Sequence, residues 1–445
     1  MGKRAPRKSV STAAIELQID DLSHDGRGVA HRNGKAVFVD GALPGEKVSA
    51  QYVEMKRHFD TARTLEVLMP AVDRVPAICA HFSICGGCVL QHLAPVAQIQ
   101  LKQLRLAENF RRIAKVEPEV WVEPIQRDIW HYRSKARLSV RYDAKKSRLL
   151  VGFREKHDTK IADIQYCDVL DQRVAIQLPR LKQLIDKLSV REQLPQIEVA
   201  CTADIVCLVL RVLKPLSAAD TALLVEFAQT QSINIQIQLA NIDSVYSLWP
   251  EQVELFYRID DGAIRIDFRA EDFTQVNTSV NAAMMTQALV WLDLQPHHHA
   301  LDLFCGLGNF TLPIARRVAA VAGIEADINM TQRAAQNAQR NQLNNVNFHA
   351  ENLFAKNIQA DWLQQNYDRV LLDPPRAGAI DIIPQLCARK QRPEKIVYVS
   401  CDPATLARDA GVLVHDHGYR LVQAGVMDMF PHTAHVESMA LFVLK

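Results

Sequence analysis

Residues 300–315, ALDLFCGLGNFTLPIA, run from an apolar strand pattern through Gly306-Leu307-Gly308 into a helix. The glycines let the backbone turn tightly and pass close to a ligand. A dinucleotide-binding loop would carry a third glycine, but the position three after Gly308 is Thr311. Taken alone, the stretch also suits an ordinary strand-to-helix turn. Its surroundings say more. AVAGIEA (320–326), DRVLLD (368–373) and KIVYVSC (395–401) all read as buried strands, with helical patterns such as NMTQRAAQNAQRNQL (329–343) between them. Regular strand–helix alternation predicts an α/β domain with a mainly parallel, doubly wound sheet. Ligands of such sheets lie at the carboxyl ends of the strands, near a switch in strand order. The second strand ends on Glu325, where a carboxylate can hold the hydroxyls of a ribose, as a nicotinamide cofactor or S-adenosylmethionine would offer.

Two further strand tips carry reactive groups. Asp373-Pro374-Pro375-Arg376 stiffens one, because proline cannot continue a strand ladder. Cys401-Asp402-Pro403 ends the next. A thiolate is a strong nucleophile that can add to an electron-poor double bond, although a lone cysteine at a strand end more often only packs. Glu437 stands beside the last of two apolar strand patterns read in FPHTAHVESMALFVLK (430–445), as a solvated edge or a base in the cleft.

Upstream, Cys79, Cys85 and Cys88 make C-x5-C-x2-C in CAHFSICGGCVLQH, and Cys167 in IADIQYCDVL is the candidate fourth ligand. Four thiolates suit zinc or a [4Fe–4S] cluster equally by spacing. Residues 127–160 hold 11 Lys or Arg against four Asp or Glu, interleaved with Trp130, Tyr132, Tyr142 and Phe153. Such a stretch can neutralise phosphates and stack unpaired bases, or simply be a solvated strand face. Residues 1–70 read as short strands between Asp25-Gly26, Asn33-Gly34, Asp40-Gly41 and Pro44-Gly45 turns, a small β-barrel. Three domains are expected, at 1–70, 73–268 (an α+β centre) and 269–445. The chain has 445 residues, 48% hydrophobic and 23% charged, with net charge +2, so a nucleic-acid partner must be sought in local patches. The basic start MGKRAPRKSV lacks the apolar run of a signal peptide, and no membrane span is read. The expected location is the cytoplasm, with no obligate protein partner evident. Nine cysteines there argue against a disulfide framework.

The order LDLFCGLGNF, GIEAD, LLDPPRAG, VSCDPATLARD, HVE closely resembles the RNA uracil-5-methyltransferase family. RNA cytosine-5-methyltransferases carry a Pro-Cys motif, which this chain lacks, and amino-group methyltransferases place an aromatic residue where Arg376 stands. The resemblance implies a Rossmann-like catalytic domain using S-adenosylmethionine, with Cys401 as nucleophile and Glu437 as general base. It implies cofactor contacts at Gln275, Phe304, Asn309, Glu325, Asn352 and Asp373. The nucleophile should be partly ionised, so its surroundings are expected to lower its pKa from about 8.5. DGRGVAHRNGKAVFVDGALPGE (25–46) resembles the TRAM domain, an OB-like RNA-binding barrel. The cysteine segment resembles the branch of the family that holds a [4Fe–4S] cluster on Cys79, Cys85, Cys88 and Cys167. Barrel and cysteines together resemble the branch acting on 23S ribosomal RNA, with the target uridine unpaired or flipped out. The same chemistry on another ribosomal or transfer RNA uridine, an iron–sulfur oxidoreductase and a non-catalytic RNA-binding protein are the alternatives.

Overall fold

The structure, a computed structural model, describes residues 13–241, 244–389 and 391–445; the basic start at residues 1–10 lies outside them. The chain forms two compact units. One comprises the residues up to Gln100 with Arg154–Lys160 and Pro431–His435. The other comprises Leu101–Phe153, Ile161–Phe430 and Val436–Lys445.

In the first unit, alternating apolar residues make a six-stranded sheet. Along Lys35–Asp40, Val37 and Val39 face inward, and they join Leu17, Ile19, Ala30, Ala42, Val48, Ala50 and Ala62 in a core. Asn33 (φ 53°) and Gly34 (φ 75°) form the tight turn between Gly28–Arg32 and Lys35–Asp40, as the Asn-Gly pair predicts. Ala14–Gln18 pairs with Lys47–Met55, and Asp21–Leu22 pairs with Gly28–Arg32. The two edges of the sheet are therefore halves of one bent segment, and the expected barrel is met as a curled sheet. The Pro70–Pro76 stretch is tied down. The buried Glu46 carboxylate accepts from Arg74 Nη2 at 2.8 Å, Leu43 N at 2.8 Å and Ala71 N at 3.2 Å.

The second unit contains two large sheets and a two-stranded hairpin, Leu255–Ile259 with Ile264–Phe268. The smaller runs Val245–Trp249, Asn234–Gln238, Val206–Arg211, Gln196–Cys201, Lys135–Asp143, Arg148–Gly152, antiparallel except where Val206–Arg211 meets Asn234–Gln238. Helix Ala218–Gln231 makes that parallel crossover and opens with a Ser217–Asp220 capping box. The basic stretch supplies Lys135–Asp143, with Ala136, Leu138 and Val140 inside and Arg137 and Arg141 outside. Its aromatics are only partly available to bases: Tyr132 is buried, and the Tyr142 ring lies 4.5 Å from the Arg191 guanidinium. Arg137 pairs with Glu198 at 2.6 Å.

The larger sheet is ordered Val346–Ala350, Ala320–Glu325, His299–Leu303, Arg369–Leu372, Lys395–Ser400, Glu437–Leu444, Tyr419–Met427, Val120–Trp121. The first five strands are parallel, as expected for a doubly wound sheet. Arg369–Leu372 is buried throughout and Lys395–Ser400 nearly so, because helices cover both faces. The C-terminal segment contributes one strand rather than two; its antiparallel partner, Tyr419–Met427, precedes it. One core joins both sheets. It contains Cys207 and Val209 of the smaller, Val397, Val399, Met439 and Leu441 of the larger, and Met284, Ala288 and Leu292 of helix Thr278–Leu292.

Candidate active site

Strand order reverses between His299–Leu303 and Arg369–Leu372, so the crevice outside their carboxyl ends is where a ligand is expected. Asp373 N bonds Leu303 O at 3.2 Å and ties the two tips together.

The loop after Leu303 shows why its residue types are needed. Gly306 and Gly308 have φ of +56° and +92°, and Phe304 is a non-glycine at +65°. Glu325, at the tip of the neighbouring strand, accepts from Gly306 N at 3.1 Å, Ala326 N at 2.8 Å and Asp327 N at 3.1 Å. Those bonds fix its carboxylate at the mouth of the crevice. The rings of Phe304 and Phe354 stand 5.8 Å apart, and Asn352 Oδ1 accepts from Phe354 N at 3.1 Å. Gln275 is half-buried in the loop before Asn277, which caps helix Thr278–Leu292. The Asn309 amide is engaged inside the protein. It exchanges hydrogen bonds with Asn281 at 3.1 and 3.0 Å and accepts from Tyr257 Oη at 3.3 Å.

Register assembles the reactive groups. Ser400 pairs with Ser438 in antiparallel fashion, so Cys401, one residue beyond, and Glu437, one before, leave adjacent strands at the same end. Asp373 and Arg376 follow the strand on the other side of Lys395–Ser400. Burial raises all three acids of this group. Asp373 rises to about 7. Glu437 rises to about 8, with Asp373 adding to the burial effect while Lys102 and Arg376 oppose it. The Cys401 thiol is pushed up to about 11 by burial, then by Glu437 and Asp373, with Arg376 opposing. The expectation that its surroundings lower this value is not met: burial first, then the carboxyl groups that frame the thiol, disfavour its anion.

Three groups in the same unit escaped the reading of the sequence. Asp302, fully buried, accepts from Thr311 Oγ1 at 2.5 Å, and its Oδ1 has no partner. Burial, then Asp373 and Glu325, raise its carboxyl to about 8. A carboxylate inside the otherwise apolar ALDLF was the available signal. Asp409 Oδ2, also fully buried, accepts from Tyr398 Oη and Ala379 N, both at 2.7 Å. Arg408 donates to Asp409 Oδ1 at 2.8 Å and to Ala377 O at 2.8 Å. The RD of VSCDPATLARD thus holds the AGA of the DPPR loop, which gives the pairing of the two motifs a physical basis. Lys102, the third, is fully buried and bonds Asp428 Oδ1 at 2.6 Å. Asp373 and Glu437 give the crevice acidic walls, which fit a ligand bearing positive charge.

In the first unit, Cys85 and Cys88 are buried and Cys79 half-buried; Cys167, in the second unit, is buried. Gly86 N bonds Arg154 O and Lys156 N bonds Ile84 O, both at 2.9 Å, so residues 154–160 brace the cysteine loop. A Cβ at Gly86 would lie 3.0 Å from Arg154 O, which explains a glycine there. The Lys156 ammonium stands over Phe82 at 4.0 Å, in the field of Cys85, Cys88 and Cys79. Among the described residues, no group of three or more His, Cys, Asp or Glu is arranged to hold a metal ion.

The family model for tRNA (uracil-5-)-methyltransferases matches residues 95–445, and the TRAM domain model matches residues 13–65. A Methylococcus capsulatus protein named 23S rRNA (uracil(1939)-C(5))-methyltransferase RlmD is 48% identical over 99% of this chain and 100% of its own length. The protein of that name from Alkalilimnicola ehrlichii is 48% identical over 99% of each chain. The crystal structure of Pyrococcus abyssi tRNA (uracil-54, C5)-methyltransferase in complex with S-adenosyl-L-homocysteine shares the fold. Its TM-score is 0.74 at 24% identity, over 96% of this chain and 100% of that one. With a match over most of its length and relatives at nearly half identity end to end, the chain belongs to the tRNA (uracil-5-)-methyltransferase family and carries a TRAM domain ahead of its catalytic unit.

Proposed function

We propose that the protein methylates carbon 5 of a uridine in 23S ribosomal RNA, at the position equivalent to 1939, with Cys401 as nucleophile and Glu437 as base. The observation that carries the chemistry is the Ser400–Ser438 register, which sets a thiol and a carboxyl side by side at the crevice. The choice of RNA rests on the names of the full-length relatives and on the TRAM domain.

Carbon 5 of uracil is a weak nucleophile. Addition of the Cys401 thiolate to carbon 6 forms a sulfur–carbon bond and moves the ring's π pair toward carbon 5 and the carbonyl, as an enolate. Bound S-adenosylmethionine would supply the electrophilic methyl and a positive sulfonium, which the acidic walls suit and whose field favours the anions of Cys401, Asp373 and Glu437. Carbon 5 then carries both methyl and hydrogen. Glu437 takes that proton, the carbon–hydrogen pair restores the 5,6 double bond, and the Cys401 thiolate leaves. Glu325 is suited to the ribose hydroxyls of the donor. Phe304, Asn309, Gln275, Asn352 and Asp373 complete its binding surface in this reading. The target base must leave its stack to reach Cys401.

A [4Fe–4S] cluster on Cys79, Cys85, Cys88 and Cys167 belongs to the same reading, supported by the C-x5-C-x2-C spacing and by Lys156, whose charge offsets thiolate charge. Methyl transfer needs no electron, so the cluster is assigned to structure or RNA contact. Iron and sulfide found together in protein purified without air would support it, and zinc alone would overturn it. The substrate is tested by incubating the protein with labelled donor and separated 23S and transfer RNA, then mapping the methylated uridine. Label confined to 23S RNA at position 1939 is expected; label in transfer RNA alone would overturn the choice.

A further inference from the structure

Lys102 lies on helix Pro95–Asn109 and is fully buried. Its ammonium bonds Asp428 Oδ1 at 2.6 Å and Phe430 O at 3.0 Å. Asp428 directly follows Met427, the residue paired with Glu437 across the sheet edge. The chain thus sets a buried cation behind the carboxyl assigned as base. Stability does not explain the pair, because a buried ion pair often contributes no more than apolar residues of the same shape.

The charged groups around Glu437 come from several elements. Asp373 and Arg376 follow strand Arg369–Leu372, Cys401 follows Lys395–Ser400, and Lys102 comes from its helix with Asp428 as partner. Asp373 acts against ionisation of Glu437; Lys102 and Arg376 act for it. Arg376 is exposed and screened by solvent, whereas Lys102 is buried and is not. A base framed by acids needs such a cation if it is to be unprotonated when carbon 5 must lose its hydrogen.

We propose that Lys102, anchored by Asp428, is a positioning residue that keeps Glu437 ionised for removal of the carbon-5 proton. It takes part in no bond-making, and the proposal rests on the reading of Glu437 as base. The test uses the full-length protein, S-adenosylmethionine and a 23S RNA fragment in single-turnover reactions from pH 6 to pH 10, following formation and decay of the covalent protein–RNA species separately. Lys102→Met/Asp428→Asn removes the charge without leaving an orphaned carboxylate, and Lys102→Gln is a second, polar replacement. Decay should shift to higher pH by about one unit and slow roughly tenfold at pH 7.5, while formation is not slowed. Formation and decay falling together with an unshifted profile, or neither changing, would overturn the proposal. Glu437→Gln separates the two readings. If it fails to accumulate the covalent species, the base assignment falls. If it accumulates and the Lys102 variants leave the decay profile in place, only the role of Lys102 falls.

Discussion

Two sets of thiols in this chain meet opposite electrostatic surroundings. Burial, then Glu437 and Asp373 against Arg376, hold the proton of Cys401 more tightly than in water. Cys85 is also raised by burial, but the Gly87 amide, 3.4 Å from its sulfur, and the Lys156 ammonium act the other way. Side-chain identity alone therefore does not set the role of a cysteine. Acidic surroundings suit a thiol that becomes a nucleophile only when a cationic donor arrives, and a half-buried lysine would suit thiolates held on a metal.

The strongest way to break this comparison is to exchange the thiols' duties. Cys401→Ala should lower methyl transfer by more than about a thousandfold while leaving iron content intact, since no other described side chain at the crevice can add to carbon 6. Substantial turnover in that variant would end the contrast. Lys156→Met should weaken retention of the cluster roughly tenfold or more, read as iron and sulfide remaining after dialysis, without changing donor affinity. Alkylation sharpens the electrostatic side. The rate at Cys401 should rise roughly tenfold per pH unit from pH 7 toward 10, because thiolate grows in that proportion below a value near 11, and S-adenosylmethionine should raise the effective thiolate fraction. An analogue that leaves Cys401 accessible distinguishes this from simple blocking.

The smallest effect is on stability. Asp302 and Glu437, near 8, and Asp373, near 7, each hold a proton in the folded state that the unfolded chain releases near pH 4. Their contribution is fully present below about pH 4 and is lost progressively as pH rises to the folded values of 7 to 8. The donor-free protein should therefore melt a few degrees lower at pH 9 than at pH 6, and Asp302→Asn should flatten the trend. An unchanged slope would show that these acids are not protonated in the fold.

Much of this was legible in the sequence because periodicity and glycine placement act locally. ALDLF, DRVLLD and KIVYVS become parallel strands, and Gly306 and Gly308 adopt the positive φ that only their residue type accepts freely. What stayed hidden depends on contacts between distant segments. Lys102 and Asp428 are 326 positions apart, and the Asn309–Asn281 amide pair depends on a helix packing against the loop. The raised thiol of Cys401 follows from its burial and from the acids beside it, which spacing does not encode. In the aromatic-basic stretch, strand alternation turns Ala136, Leu138 and Val140 inward, and Tyr132, ahead of that strand, is also hidden in the fold.

The central claim is that Cys401 and Glu437 act in succession on one base. It is tested most directly by incubating Glu437→Gln with S-adenosylmethionine and a 23S RNA fragment under native conditions, then denaturing the mixture. Glu437→Gln should give a denaturation-resistant protein–RNA species bearing the methyl group, absent when Cys401→Ala is added to the same chain. Normal release of methylated RNA by Glu437→Gln, or a covalent species that survives loss of Cys401, would contradict it.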